Sequence, residues 1–244
     1  MSMFFNRIRN ILFDLLSLFL PRVCICCGEL LSEAEVEVCT RCRRRAPLTQ
    51  MWQEPENVMM ERFYGIVPVE RASAFMWYTQ GSPWRSVIHS LKYRRRWMTA
   101  VRMGEWYAHN LVEAGLLADV DAIVPVPLHW RRRARRGYNQ AEYIALGMSR
   151  VSGVPVEFGA VVRAKDNPSQ AQQSRYVRWS NVDSIFRVSH PERLRGRRVL
   201  LVDDVCTTGA TISSCALAIV EACDGDVRID MGALAMPMPR AMGV

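Results

Sequence analysis

Apolar and polar positions fall in blocks that alternate between short unbroken runs and helical spacing. The clearest run is Val199–Val202, rich in β-branched residues and bounded by Arg197 and Arg198. Such a run reads as a buried central strand. Asp203 and Asp204 end it, Thr207, Thr208, Gly209 and Thr211 follow, and Ile212, Cys215, Ala216, Ile219 and Val220 then share one helical face. Upstream, Asp121–Leu128 reads as a buried strand entering a proline-stiffened polar loop, with a helix running to about Arg150. Further strands are expected over 63–69, 72–79, Pro155–Arg163, Asp183–Val188 and Val227–Met236. Gly81, Ser82 and Pro83 open a helix with Trp84, Val87, Ile88 and Leu91 on its apolar face, and a second runs from about Ala100 to Leu117. Strands alternating with helices predict an α/β fold with a parallel sheet flanked by helices.

Two stretches lack periodicity. Residues 46–62, with Pro47 and Pro55, read as a linker, so the expected division is an N-terminal module over 1–55 and a larger domain over 56–244. Residues 164–182 are polar, and so long a stretch inside a compact domain reads as functional or mobile. At the start, residues 3–20 form an amphipathic helix ended by Pro21. Arg7 and Arg9 imitate a signal peptide, but no small-residue cleavage site follows. The run is too short and interrupted to span a bilayer. Docking on the protein's own core is expected, with loose membrane association as the alternative.

The 244 residues, half of them hydrophobic, suffice for one α/β domain and a small appendage. A net charge of +8 suits a polyanionic partner without choosing among nucleic acid, membrane surface and a phosphorylated ligand. Eight cysteines without a secretory signal point to a reducing, cytoplasmic compartment. Cys24 with Cys27 and Cys39 with Cys42 make two Cys-x-x-Cys knuckles separated by 11 residues. Four sulfurs in that spacing suit a closed, structural Zn²⁺ site. Free thiols or a redox pair are the alternatives, and Cys26 competes with Cys24 or Cys27 for a place.

A polar loop at the carboxyl end of a central strand is where open α/β sheets bind ligands. Backbone N–H groups at a helix N-terminus suit a phosphate, and Gly209 permits close approach. Asp203 and Asp204 would repel a phosphate and make better acceptors for sugar hydroxyls. Loop and acids together describe a ribose 5-phosphate. Five arginines in the six positions Arg131–Arg136 make the upstream loop a second anion-facing element, whereas His129 reads as structural. The run Arg41–Arg45 reads first as a solvated face that offsets thiolate charge, with nucleic-acid contact as the alternative, and the second run, Lys92–Arg96, as a solvated helix end. Interleaved with Tyr93 and Trp97, the second run is also a stacking-plus-phosphate surface.

Leu200–Thr211 resembles the phosphoribosyl pyrophosphate (PRPP) motif of type I phosphoribosyltransferases. Nearly the whole chain is similar to the ComF family, through the paired knuckles, Ile88–Tyr93, Val124–His129, Arg136–Ala141, and Gln170 with Arg178 and Asn181. That resemblance implies a type I phosphoribosyltransferase fold with a small zinc-ribbon-like module. It assigns Asp203 and Asp204 to the ribose hydroxyls and associated Mg²⁺, as the catalytic acids. It assigns Val205, Cys206, Thr207, Thr208, Gly209, Ala210 and Thr211 to PRPP, the last five meeting the 5-phosphate. Arg131, Arg132, Arg136 and Arg178 become candidate contacts for pyrophosphate or DNA. The segment 164–182 takes the place of a loop that closes over PRPP, although Gln173 stands where relatives carry an apolar residue. The implied role is handling of single-stranded DNA in uptake or utilisation, beside other uptake or recombination proteins. Three readings remain: a transferase acting on an unknown acceptor, a PRPP sensor without chemistry, and a zinc-ribbon DNA-binding adaptor.

Overall fold

The structure is a computed structural model describing residues 22–79, 81–93, 96–165 and 185–239. The opening helix over 3–20, Arg178 and all but the first two residues of the segment 164–182 lie outside them. Residues 22–46 with 81–87 form one compact unit, and the other described residues form a larger one.

The strands are β1 (Arg71–Tyr78), β2 (Ala122–Pro125), β3 (Val161–Arg163), β4 (Phe186–Val188), β5 (Arg198–Val205) and β6 (Arg228–Pro237). The helices are α1 (Thr40–Arg44), α2 (Trp84–Tyr93), α3 (Trp97–Glu113), α4 (Trp130–Arg136), α5 (Gln140–Ser152) and α6 (Ala210–Ala222). The main sheet has the order β1–β6–β5–β2 and is parallel throughout. β5 is therefore internal, as its unbroken apolar run requires, and Val199–Val202 are all buried.

Period-two alternation along β5 sends its side chains to two different layers. Val199 and Leu201 join a core with Ile212, Cys215, Ala216 and Ile219 of α6. Leu200 reaches the other face, where its Cδ1 lies with the Tyr107 ring of α3 against Gly232 of β6. On that face α3 and α5 cross at backbone distance. A Cβ on Gly104 would sit 2.2 Å from the Ile144 carbonyl oxygen, and one on Gly147 would sit 2.0 Å from that of Val101. At the amino end of the strands the buried Arg198 pairs with the buried Asp230, Nε to Oδ2 at 2.9 Å, and with Asp119 at 3.0 Å.

Several expectations are corrected. Residues 47–62 are no linker: Met51, Trp52, Met59 and Met60 are buried, and the buried Asn57 amide donates to the Ala72 carbonyl at 2.9 Å. The units consequently divide at Ala46, nine residues before the expected boundary at 55, because 47–55 pack with the larger unit. Residues 63–69 form turns rather than a strand; Phe63 N–H bonds Met60 O, and Gly65 at φ +68° breaks any extended path. The helix expected to reach Leu117 stops at Glu113, where Gly115 turns at φ +73°. Gly159, at φ +73°, splits Pro155–Arg163: Val156 makes a single parallel bridge to Ile123 at the edge of β2, and Val161–Arg163 form β3. β3 pairs antiparallel with β4 in a separate two-stranded sheet, so neither completes the main one. Finally, the arginine run is helix α4, not loop. Nδ1 of His129 accepts from Arg131 N–H at its start, and Gly137 at φ +85° closes its end.

Candidate functional site

β5, β2 and the segments that follow them open a cleft of about 220 Å³ at the carboxyl ends of the strands. Lys92, Arg132, Arg136 and Arg163 line one part, and Asp203, Asp204, Val205, Thr207 and Thr211 another. Strand alternation separates the two acids. Asp203 follows Leu201 toward the α6 layer, and Asp204 points toward α2.

Asp203 Oδ1 accepts from the Asp204 N–H at 2.8 Å. Burial, then the adjacent Asp204 charge, push Asp203 up to about 7. The Oδ2 atom of Asp204 is buried and accepts no hydrogen bond, and Lys92 Nζ lies 3.2 Å from it. Two adjacent carboxylates on a desolvated strand end form a site that favours cations and hydroxyl donors.

Behind the acids, Gly209 has φ +80° and immediately precedes α6. A Cβ there would meet Phe63 Cε1 at 2.9 Å, so the turn needs glycine for both conformation and space. Thr208 Oγ1 accepts from Ala210 N–H at 3.4 Å, while Thr207 and Thr211 line the cleft. The first-turn N–H groups of α6 precede any intrahelical partner and so offer an anion seat. Cys206 is different from its neighbours. Its side chain is buried, burial pushes its thiol up to about 12, and its N–H bonds Ala235 O at 2.9 Å. Its side chain packs in the core.

The opposite wall is built by the turn between α4 and α5. Asn139 caps α5, accepting from Ala141 N–H, and its amide donates to Val126 O at 3.0 Å, fixing the loop after β2. Arg136 Nη1 donates to Gln140 Oε1 at 3.0 Å, and Gln140 Nε2 donates to Leu91 O at 3.1 Å. The Tyr138 hydroxyl donates to the same carbonyl. On α4, Arg132 and Arg136 are one turn apart and face the cleft. Arg131 instead stacks over the exposed Trp130, 5.2 Å from the ring centre, and Arg133 pairs with Glu142 at 2.7 Å. Lys92, Asn139, Gln140 and Arg163 were not singled out as site residues. Lys92 was hidden in a basic run that reads as a solvated helix end, and Gln140 carries no charge pattern.

The small unit holds a second candidate site. One sulfur from each of Cys24, Cys27, Cys39 and Cys42 lies within 4.8 Å of the others. Sγ of Cys27 and Cys39 are 3.7 Å apart. A tetrahedral ion with bonds of about 2.3 Å would place sulfurs about 3.8 Å apart, so the donor set fits Zn²⁺. Burial raises Cys24, but N–H donors from Cys39, Cys27 and Cys26 outweigh it and bring the thiol down to about 7. Gly28, at φ +78°, donates its N–H to Cys24 O at 2.8 Å and closes the first knuckle. Cys26 stays outside the four, and burial pushes its thiol up to about 11.

Residues 134–229 match the phosphoribosyl transferase domain family. DNA utilization protein YhgH of Escherichia coli strain K12 is 33% identical over 137 residues, 55% of this chain and 60% of that protein. Competence protein F of Haemophilus influenzae is 39% identical over 94 residues, 38% of this chain and 41% of that protein. With the matched domain, these relatives support the ComF family for this chain. Competence protein ComFC of Bacillus subtilis is 31% identical over 99 residues, 41% of this chain and 38% of that protein. The chain thus spans about 60% or less of the length of these relatives. A B. subtilis glutamine PRPP amidotransferase complexed with ADP and GMP overlays with TM-score 0.42 at 18% identity, covering 60% of this chain and 30% of that one. The larger unit is a type I phosphoribosyltransferase domain, and the smaller carries the four-cysteine cluster. Among the described residues no helix is long and apolar enough to cross a membrane.

Proposed function

We propose that this ComF-family protein binds PRPP with Mg²⁺ in the β5–β2 cleft and works in DNA uptake or utilisation in the cytoplasm. The observation that carries the reading is one juxtaposition. Two desolvated carboxylates end the internal strand, a positive-φ glycine and a helix N-terminus follow, and a cationic wall faces them. The 5-phosphate would sit on the first turn of α6, taking donors from Thr207, Thr208 and Thr211. Asp203 and Asp204 would accept from the ribose hydroxyls, and Lys92, Arg132 and Arg136 lie where the diphosphate would extend. The acids fit a cation: Asp204 Oδ2 is buried without a hydrogen-bond donor, and burial, then the adjacent Asp204 charge, push Asp203 up to about 7, a cost that a cation would offset. When bound there, Mg²⁺ would neutralise charge on a departing diphosphate. The protein's own part is positioning and electrostatics.

Single-stranded DNA is the proposed partner, and the outer face of α4 supports it. Trp130 is 65% exposed with Arg131 stacked on it, which offers a base a stacking platform beside phosphate-binding guanidiniums. The four-cysteine cluster is proposed to hold structural Zn²⁺.

The test is calorimetric titration of Mg²⁺–PRPP into the wild type and into Asp203→Ala/Asp204→Ala, followed by a pyrophosphate-release assay with DNA or nucleobase acceptors. Binding lost in the double variant supports the site. Pyrophosphate release makes the protein a transferase; binding without release makes it a sensor. No binding by the folded wild type overturns the proposal.

A further inference from the structure

Lys92 stands apart from the other cations of the cleft. It lies in the last turn of α2, whose carbonyls have no intrahelical partner. The carbonyl just before it, that of Leu91, is held by two side-chain donors, the Tyr138 hydroxyl and Gln140 Nε2. Gln140 is held in turn by Arg136. The backbone under Lys92 is therefore fixed by the same turn that carries a guanidinium into the cleft. The ammonium lies 3.2 Å from Asp204 Oδ2, which is buried and has no hydrogen-bond donor. Lys92 is half-buried, and it lines the cleft together with Arg132 and Arg136.

A lysine in this position has two anions to choose between. In the ligand-free cleft it offsets Asp204. Once ribose hydroxyls and a cation engage the acids, Asp204 no longer needs it. A flexible four-carbon stem with three rotatable N–H donors can then turn to another anion nearby. A monophosphate at the α6 N-terminus is served at the other end of the cleft. A diphosphate on the ribose C1 would extend toward the wall that Lys92 shares with Arg132 and Arg136.

We infer that Lys92 is the residue that distinguishes a ribose phosphate bearing a diphosphate from one without it, exchanging its Asp204 contact for the diphosphate on binding. This rests on the PRPP reading of the cleft. Lys92 is thus a specificity residue as well as a counter-ion, and removing its charge affects two ligands differently. Charge-assisted hydrogen bonds of this kind correspond to about 10- to 100-fold in affinity.

The experiment is calorimetric titration of Mg²⁺–PRPP and of Mg²⁺–ribose 5-phosphate into the wild type, Lys92→Met and Lys92→Arg, with thermal unfolding to verify folding. Lys92→Met should bind PRPP about 10- to 100-fold more weakly and ribose 5-phosphate no more weakly than the wild type. Lys92→Arg should recover part of the PRPP affinity. Equal losses for both ligands would overturn the inference, since Lys92 would then act only by shaping the site. Unchanged PRPP affinity in Lys92→Met would overturn it too. Failure of the wild type to bind PRPP would instead remove the cleft reading beneath it, a distinct result.

Discussion

Alanine at Gly147 should invert the usual consequence of a helical glycine-to-alanine change. In a helix interior the replacement ordinarily stabilises by about 1 kcal/mol, through lower backbone entropy in the unfolded chain. Here the new Cβ would lie 2.0 Å from the Val101 carbonyl oxygen and 2.9 Å from the Glu105 nitrogen. Both neighbours are backbone of α3, so no side chain can rotate away. Reaching a normal separation of about 3.5 Å requires α3 and α5 to part by roughly 1.5 Å, enough to forfeit much of the dispersion energy across the crossing. Overpacking of this severity costs about 3 kcal/mol or more. The net effect is a destabilisation of about 2 kcal/mol or more, or roughly 4–8 °C in Tm for a domain of this size. α5 also carries Gln140, so PRPP affinity should fall as α5 moves. Calorimetric melting with urea titration measures the stability, and Gly104→Ala should behave alike, its Cβ meeting Ile144 O at 2.2 Å. A Gly147→Ala protein as stable as the wild type or more so would refute the close crossing.

Three further outcomes are expected. Asp203 is held up near 7 in the folded state against 3.8 unfolded, so the native protein binds the extra proton between those values. Its contribution therefore lowers stability as pH rises from about 4 to about 7 and levels off above. Asp203→Asn should be the more stable protein at pH 8, with the difference vanishing below pH 4 in denaturant titrations; an unchanged pH profile would refute this. In the small unit, Cys24, Cys39, Trp84 and Val87 are the only buried hydrophobics among the described residues, too few for a core of its own, so its folding should depend on the ion. A strong zinc chelator should make that unit susceptible to proteolysis while the larger unit keeps its melting transition, and continued protection would count against a structural metal. Trp130→Ala should weaken single-stranded DNA binding by about 1–3 kcal/mol without changing the salt slope, whereas Arg131→Ala/Arg135→Ala should flatten that slope by about one unit or more. Fluorescence anisotropy at several salt concentrations separates the two, and equal slopes in all three proteins would argue against the α4 surface.

Elements that bury one clean face were legible. β5 could be read because four consecutive apolar residues are terminated by two acids, and α6 because Ile212, Cys215, Ala216 and Ile219 keep helical period. α4 was hidden because a run of arginines has no apolar period; its helix is made by the His129 and Gly137 caps and the Arg133–Glu142 pair. Residues 47–62 misled through Pro47 and Pro55, which outweighed Met51, Trp52, Met59 and Met60. Those four are aperiodic and enter the core one turn at a time. In the cleft, the acids and threonines stood out because such groups cluster rarely. Lys92 did not, because its partner Asp204 is 112 positions away, and only the fold brings them together. Gln140 was invisible for the same reason, since its role is to hold a carbonyl that no sequence pattern marks as needing it.

Because β6 lies between β1 and β5, the sheet cannot close in the order in which its strands are made. Arg71 of β1 takes its place opposite Asp230, so the β1 edge that faces β6 has no partner until the chain has been translated past residue 230. At about 5–20 residues per second, that delay is roughly 10–30 s. During it β1 presents an open edge, joined at the end of the wait by β5, whose Asp203 and Asp204 then lie in a strand still open on one side. The nascent chain is thus exposed to misassociation until its last strand is inserted, and it is a natural client for chaperones that shield extended apolar segments. The cleft cannot select a ligand before that moment, so ligand binding cannot guide the early steps of folding.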